Sequence, residues 1–164
     1  MKAGVIVLAH RPDESVAPVA EWYARELEKR IHRNVHVACH SGDPSIRDVL
    51  KEMNVHRENN TFVVLPLLVA EGNLSVWNMP KNMGMPDNSC SYTHLTGTHI
   101  AIRFATTLGR INTLSETPLK RLREAGAEEN DGILLVARGS KLSMNLAAGK
   151  HAWCISQHGY TIVS

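Results

Sequence analysis

Three runs of this chain stay apolar at nearly every position for the length of a β-strand. They are Val5-Ile-Val-Leu-Ala9, Thr61-Phe-Val-Val-Leu-Pro-Leu-Leu-Val69 and Ile133-Leu-Leu-Val-Ala137. A strand with one wet face alternates apolar and polar residues, so unbroken runs of this kind belong to strands covered on both sides. Helical patterns stand between them. From Ser15 to about Arg30, apolar residues recur at helical spacing (Val16, Val19, Ala20, Tyr23, Leu27, then Ile31). Ser45 to Met53 carries Ile46, Val49, Leu50 and Met53 on one helical face, after an Asp43-Pro44 start signal. Ser115 to Ala125 reads as a helix opened by a capping box. Asn34 to Cys39 and Thr98 to Ala105 alternate as strands. From Glu71 to Gly97 the chain is rich in Asn, Gly, Pro, Ser and Met, which predicts a long excursion with one short helix near Val76–Met83. Strands alternating with helices at this spacing predict an α/β fold: a flavodoxin-like parallel sheet with helices on both faces.

Composition excludes several classes. With 164 residues, 43% of them hydrophobic, the chain can bury a core without staples. A net charge of +2 leaves neither a nucleic-acid footprint nor a polybasic membrane patch. The run from Thr61 to Ala70 is half a membrane span and contains a proline. The three cysteines, Cys39, Cys90 and Cys154, have no CxxC or CxxH spacing. They argue against a disulfide framework or a structural zinc site and for a reducing, cytoplasmic setting. Nine histidines are a surplus that hints at metal or proton chemistry. No GxxxxGK[ST], GxGxxG or GxSxG motif follows a strand.

The chain also matches itself. Gly4-Val-Ile-Val-Leu-Ala-His10 superposes without gaps on Gly132-Ile-Leu-Leu-Val-Ala-Arg138, and the register continues through Ser15 on Ser143 and Ala20 on Ala148. Two strand–helix starts of any α/β protein resemble each other; a duplication is the sharper reading. It divides the chain into one α/β lobe, residues 1–129, and the first strand–helix–strand of a second copy, residues 130–164.

In an open parallel sheet the ligand crevice lies beyond the carboxyl ends of the strands. Here the first strand is followed by His10-Arg11, the second by His40, and the third by Glu71-Gly-Asn73. Thr106-Thr107 follow the fourth, and Arg138-Gly-Ser140 the fifth. Imidazole suits cobalt, nickel, iron or zinc and also accepts protons near neutral pH, while a carboxylate can orient it or take a proton itself. His10 is therefore the candidate for metal or proton handling, with Glu71 across the switch point. His40 is the next histidine at this edge. The spacing of His32, His36 and His40 would suit one helix, but their segment reads as a strand. His94, His99, His151 and His158 are expected at the surface, and Trp77 and Trp153 in the core or at its rim.

The Val5-to-His10 run, Leu65-Pro-Leu-Leu-Val-Ala-Glu-Gly72, Pro80, Phe104-to-Leu114 and Leu134-to-Ser140 together resemble the small CbiX-type sirohydrochlorin chelatases. This resemblance implies a chelatase-like fold and the insertion of Co2+ or Ni2+ into sirohydrochlorin, for cobalamin or F430 synthesis. It implies His10 as metal ligand and catalytic residue with Glu71 assisting, and substrate contacts from Arg11, Asn73, Leu74, Arg138 and Ser140. It further implies a homodimer, no cofactor beyond the divalent metal substrate, and no nucleic-acid or membrane partner. The sequence departs from the family pattern in three places. Arg11-Pro12 replaces Gly-Ser after the first histidine, Leu74 stands where a second histidine is expected, and Arg138 replaces the histidine of the second copy. Loss of the second histidine keeps an alternative open: a non-catalytic tetrapyrrole- or metal-binding paralogue or subunit of the same fold.

Overall fold

The computed structural model describes residues 3–10, 16–55, 61–68, 91–95, 98–108, 114, 116–136 and 144–163. The strands are β1 (Gly4–Ala9), β2 (Val35–Cys39), β3 (Thr61–Pro66), β4 (Ser91–Leu95), β5 (Thr98–Phe104), β6 (Gly132–Leu134) and β7 (Thr161–Val163). The helices are α1 (Val16–Ile31), α2 (Ile46–Val55), α3 (Glu116–Glu124) and α4 (Met144–Ser156). These elements fall into two compact units. β1 to β5 with α1 and α2 make the first, through Thr106; α3, β6, α4 and β7 make the second, from Thr107.

The first unit is an α/β sheet in the order β2-β1-β3-β5-β4. β2, β1, β3 and β5 are parallel neighbours, and β4 closes one edge antiparallel to β5. Because β1 lies between β2 and β3, the chain crosses the sheet in opposite directions after β1 and after β2. The right-handed crossover rule then sends α1 and α2 to opposite faces. The packing agrees with this. On one face Val7 and Val35 are buried with Ala24 of α1, and Leu27 and Ile31 pack around them. On the other, Ile6, Leu8, Ala38, Phe62, Val64, Ile100 and Ile102 bury Ile46, Val49 and Leu50 of α2, with Met53 against the cluster. The Val5–Ala9 run is thus covered on both sides, as its pattern predicts, whereas in the Ile133–Ala137 run Leu134 and Val136 are exposed, because a two-stranded sheet offers less to pack against.

Local chemistry sets the helix starts and the packed stripes. Ser45 caps α2: its hydroxyl accepts from Asp48 N–H at 3.2 Å and donates to the Asp48 carboxylate. That bond is the main reason the Asp48 carboxyl is held below its usual range. On α1 the stripe against the sheet is narrower than its apolar spacing suggests. Ala20 and Ala24 are buried, whereas Val19 and Tyr23 are exposed beside Trp22. Small side chains let the helix axis approach the sheet, and their bulkier neighbours are left outside.

Two further differences from the sequence pattern stand out. β4 lies inside the segment expected to be an excursion; its five residues are bracketed by Asn- and Gly-rich sequence, and only pairing with β5 makes them a strand. The expected short helix near Val76–Met83 lies outside the described residues. The strand expected at Ile133 to Ala137 does not join the first sheet. β6 pairs with β7, parallel, in a two-stranded sheet of its own.

The second unit has its own core of Leu119, Ile155 and Tyr160, packed by Leu122, Ala127, Ile133, Leu135 and Ile162. Trp153, expected in the core or at its rim, is exposed on α4. β6 begins at Gly132 and α4 at Met144, the positions that the self-match pairs with Gly4 and Val16, where β1 and α1 begin. Each strand pair is parallel and joined by its helix, so both segments are βαβ units. α3, which precedes the repeat, groups with this unit.

Among the described residues no helix is long and apolar enough to cross a membrane. Leu50, fully buried between α2 and the sheet, gives a test of this packing. Leu50→Ala is expected to cost about 2–5 kcal/mol of stability in urea unfolding, while Trp22→Ala, on the exposed side of α1, shifts it by no more than about 0.5 kcal/mol.

Candidate functional site

The parallel ladder decides what stands at the carboxyl edge of the first sheet. Ala9 and Cys39, the last residues of β1 and β2, are partners across it. The pairing runs one step past both strands. His40 N–H donates to the Ala9 carbonyl at 2.8 Å, and Ser41 N–H donates to the His10 carbonyl at 3.0 Å. Residues in parallel register sit side by side about 4.8 Å apart, so His10 and His40 come to the edge as neighbours. Their rings stack with centroids 6.0 Å apart and planes 23° apart.

The turn after β2 fixes His40 further. Cys39 N–H donates to the Pro44 carbonyl at 2.8 Å, which closes a tight loop. Gly42 within it has φ 127°, a conformation that side chains rarely adopt. His40 Nδ1 lies 3.0 Å from Ser41 Oγ. Its Nε2 is buried and has no hydrogen-bond partner among the described residues. Leaving such an atom unpaired costs about 1–3 kcal/mol, a cost that core packing does not require at a strand end.

Burial, and then the neighbouring His10, push the His40 imidazole below its usual pKa. It is the neutral ring, with a lone pair to offer, that this environment favours. The adjacent Cys39 thiol is buried, and burial followed by the Asp43 charge pushes its pKa up, so it stays protonated and poorly nucleophilic. His10 itself is exposed. The pair therefore combines one ring open to solvent with one held against the protein.

Of the site residues expected from the sequence, His10 lies within the described part of the chain, and it stands at the end of a central strand as expected. Arg11, Glu71, Asn73, Leu74, Arg138 and Ser140 lie outside the described residues. β6, the strand that Arg138 and Ser140 follow in sequence, pairs with β7 in the two-stranded sheet. Thr106 is exposed, and Thr107 is buried and groups with the second unit. His36 pairs with Ile6 and is four residues from His40 along β2, too far to share a ligand with it. His32 follows α1 with φ 52° and is exposed. Ser41 is the contributor that sequence reasoning missed. Its signal was its place one residue past a histidine that follows a strand.

Among the described residues no group of three His, Cys, Asp or Glu could hold a metal ion. Two imidazoles alone leave most of a metal's coordination sphere open, a condition that suits exchange more than permanent tenure.

A family model described as CbiX matches residues 4–125. No curated protein matches the sequence. Among solved structures, the chain is similar to SirB from Bacillus subtilis with Fe3+, at TM-score 0.71 and 16% identity. That match covers 99% of this chain and 65% of SirB, so the chain spans just under two thirds of that relative. A multi-domain protein from Deinococcus radiodurans, described as structurally similar to chelatases, matches at TM-score 0.68 and 19% identity over 99% of this chain and 39% of its own. A putative cobalamin biosynthesis CbiX protein from Marinobacter aquaeolei matches at TM-score 0.53 and 22% identity, over 76% of this chain and 95% of its own. At these identities the likeness concerns the fold: a parallel sheet with helices shared with chelatase-like proteins.

The β2–α2 turn gives a test of how the edge is held. Gly42→Ala is expected to cost about 1–3 kcal/mol in urea unfolding, because alanine resists the positive φ. It should also shift the imidazole NMR signals of His40 while leaving those of His158, exposed in the second unit, in place.

Proposed function

The chain belongs to the CbiX family, and from that membership we propose that it is a tetrapyrrole metal chelatase inserting Co2+ or Ni2+ into sirohydrochlorin. The observation that carries the reading is His10, held by the β1–β2 ladder at the carboxyl edge of the sheet beside a second imidazole.

The chemistry is modest and matches these groups. Sirohydrochlorin exchanges two pyrrole N–H protons for one divalent cation, so the products are the metallated ring and two protons. A neutral imidazole at the edge can hold the incoming ion or take a pyrrole proton. Glu71 is proposed to accept protons and pass them to water. The macrocycle carries many carboxylates, which Arg11 and Arg138 would meet with charged hydrogen bonds. Asn73, Leu74 and Ser140 complete the proposed substrate contacts. The oxidation state of the metal does not change, so the reaction needs no redox cofactor. The proposal includes a homodimer working in the cytoplasm.

A second reading follows from Leu74, which stands where the family pattern has a histidine. On it, the protein holds a tetrapyrrole or metal without inserting one, alone or as a subunit.

The test is to incubate the purified protein with sirohydrochlorin and Co2+ or Ni2+ and follow the absorbance change of metallation. A rate above the metal-only background is expected, and His10→Ala should lower it by about 10²–10⁴-fold if the imidazole moves protons. Binding of the macrocycle without insertion would favour the second reading. Binding of neither a tetrapyrrole nor the metal would remove both.

A further inference from the structure

The geometry points to His40 as a metal ligand in its own right: we propose that His10 and His40 together form a two-imidazole grip for the divalent metal substrate. This rests on the reading of His10 as the residue that meets the metal. It goes beyond that reading by assigning the second ligand to the strand next to β1.

Four observations converge on it. The ladder hydrogen bonds from His40 N–H to Ala9 and from Ser41 N–H to His10 fix the two residues side by side. The rings already stack at 6.0 Å with 23° between their planes. Metal–imidazole bonds of about 2.1 Å bring two adjacent ligand rings to roughly 5 Å between centroids. The observed separation is thus about 1 Å longer than that of two rings on one ion. Third, Ser41 Oγ sits 3.0 Å from His40 Nδ1. Metal-binding histidines characteristically donate their non-ligating N–H to such a partner, which fixes ring and tautomer. With Nδ1 donating to Ser41, the lone pair falls on Nε2. Fourth, Nε2 is the buried ring nitrogen that has no partner among the described residues.

Two neutral nitrogen ligands also fit what a chelatase must do. The ion has to be gathered and then surrendered to four ring nitrogens, so a closed four-ligand cage would defeat the purpose. Two imidazoles leave the other positions to water and to the incoming macrocycle. The missing histidine at Leu74 is then replaced from a different strand, and the grip keeps two members.

The experiment uses the full chain and Co2+ alone, with no tetrapyrrole. Paramagnetic shifts of the histidine ring signals, read as Co2+ is added to the wild-type protein, should appear on both His10 and His40 at one saturable site. His10→Ala and His40→Ala, checked for folding by circular dichroism and urea unfolding, should each weaken Co2+ binding by at least about tenfold in calorimetry, the loss expected for a ligand or its support. Shifts confined to His10, or shifts on neither ring, would overturn the proposal without needing any variant. So would a folded His40→Ala protein with unchanged Co2+ affinity. Failure of the chelatase reading looks different: Co2+ binds to both rings, yet sirohydrochlorin is never metallated.

Discussion

The parallel pairing of β1 with β2 on one side and β3 on the other governs the rest of the first unit. Once β1 is central, both of its faces must be covered. The opposite-going crossovers place α1 on one face and α2 on the other. Ile6 and Leu8 then serve one core while Val5 and Val7 serve the other. A slip of one residue in this register would exchange the two sets, and it would also separate His10 from His40. Stability and site geometry are therefore set by the same hydrogen-bonded ladder.

The ladder's end is where the two demands part. Up to Ala9 and Cys39 every residue of β1 and β2 faces packed helix or partly buried surface, and the side chains are apolar apart from His36. One step later the chain presents two imidazoles, and a serine follows the second. An imidazole nitrogen that is buried and unpaired is costly, and a valine or an alanine at His40 would avoid that cost. What the local backbone invests in this position, two ladder hydrogen bonds, one across the turn and a glycine with positive φ, is rigidity at the strand end. Rigid placement of a ring nitrogen with unmet bonding capacity is what the proposed two-imidazole grip draws on.

Much of this was legible in the sequence, for reasons that differ by element. The buried strands β1 and β3 announce themselves because covering both faces leaves no room for polar residues. α2 is equally plain, since Ile46, Val49, Leu50 and Met53 all pack where their spacing puts them. α1 shows the limit of periodicity. Val19 and Tyr23 lie on the apolar stripe in sequence but outside it in space, because alanines at 20 and 24 set how closely the helix approaches. β4 was illegible for another reason: a five-residue strand at a sheet edge has little signal of its own, and its pairing partner defines it. At the site, His10 could be found from its place after a buried strand. Its pairing with His40 could not, because strand order and register are long-range properties. Only when Ala9 is set opposite Cys39 does a histidine thirty positions away become a neighbour.

The repeat separates fold from chemistry in the same way. β6, α4 and β7 reproduce the strand–helix–strand arrangement of β1, α1 and β2, with β6 and α4 starting at the positions matched to the starts of β1 and α1. What that unit needs is apolar strands in parallel register and a helix to cross between them, and both copies supply this. What the proposed metal grip needs is narrower: an imidazole one residue past the first strand and another one past the second. The first copy has His10 and His40. The second has Arg138 at the position matched to His10. A guanidinium stays protonated and has no lone pair for a cation, so the second segment lacks the counterpart of the ligand proposed at His10. Selection for the fold and selection for the site act on different residues of the same βαβ unit, which is why one can be repeated without the other.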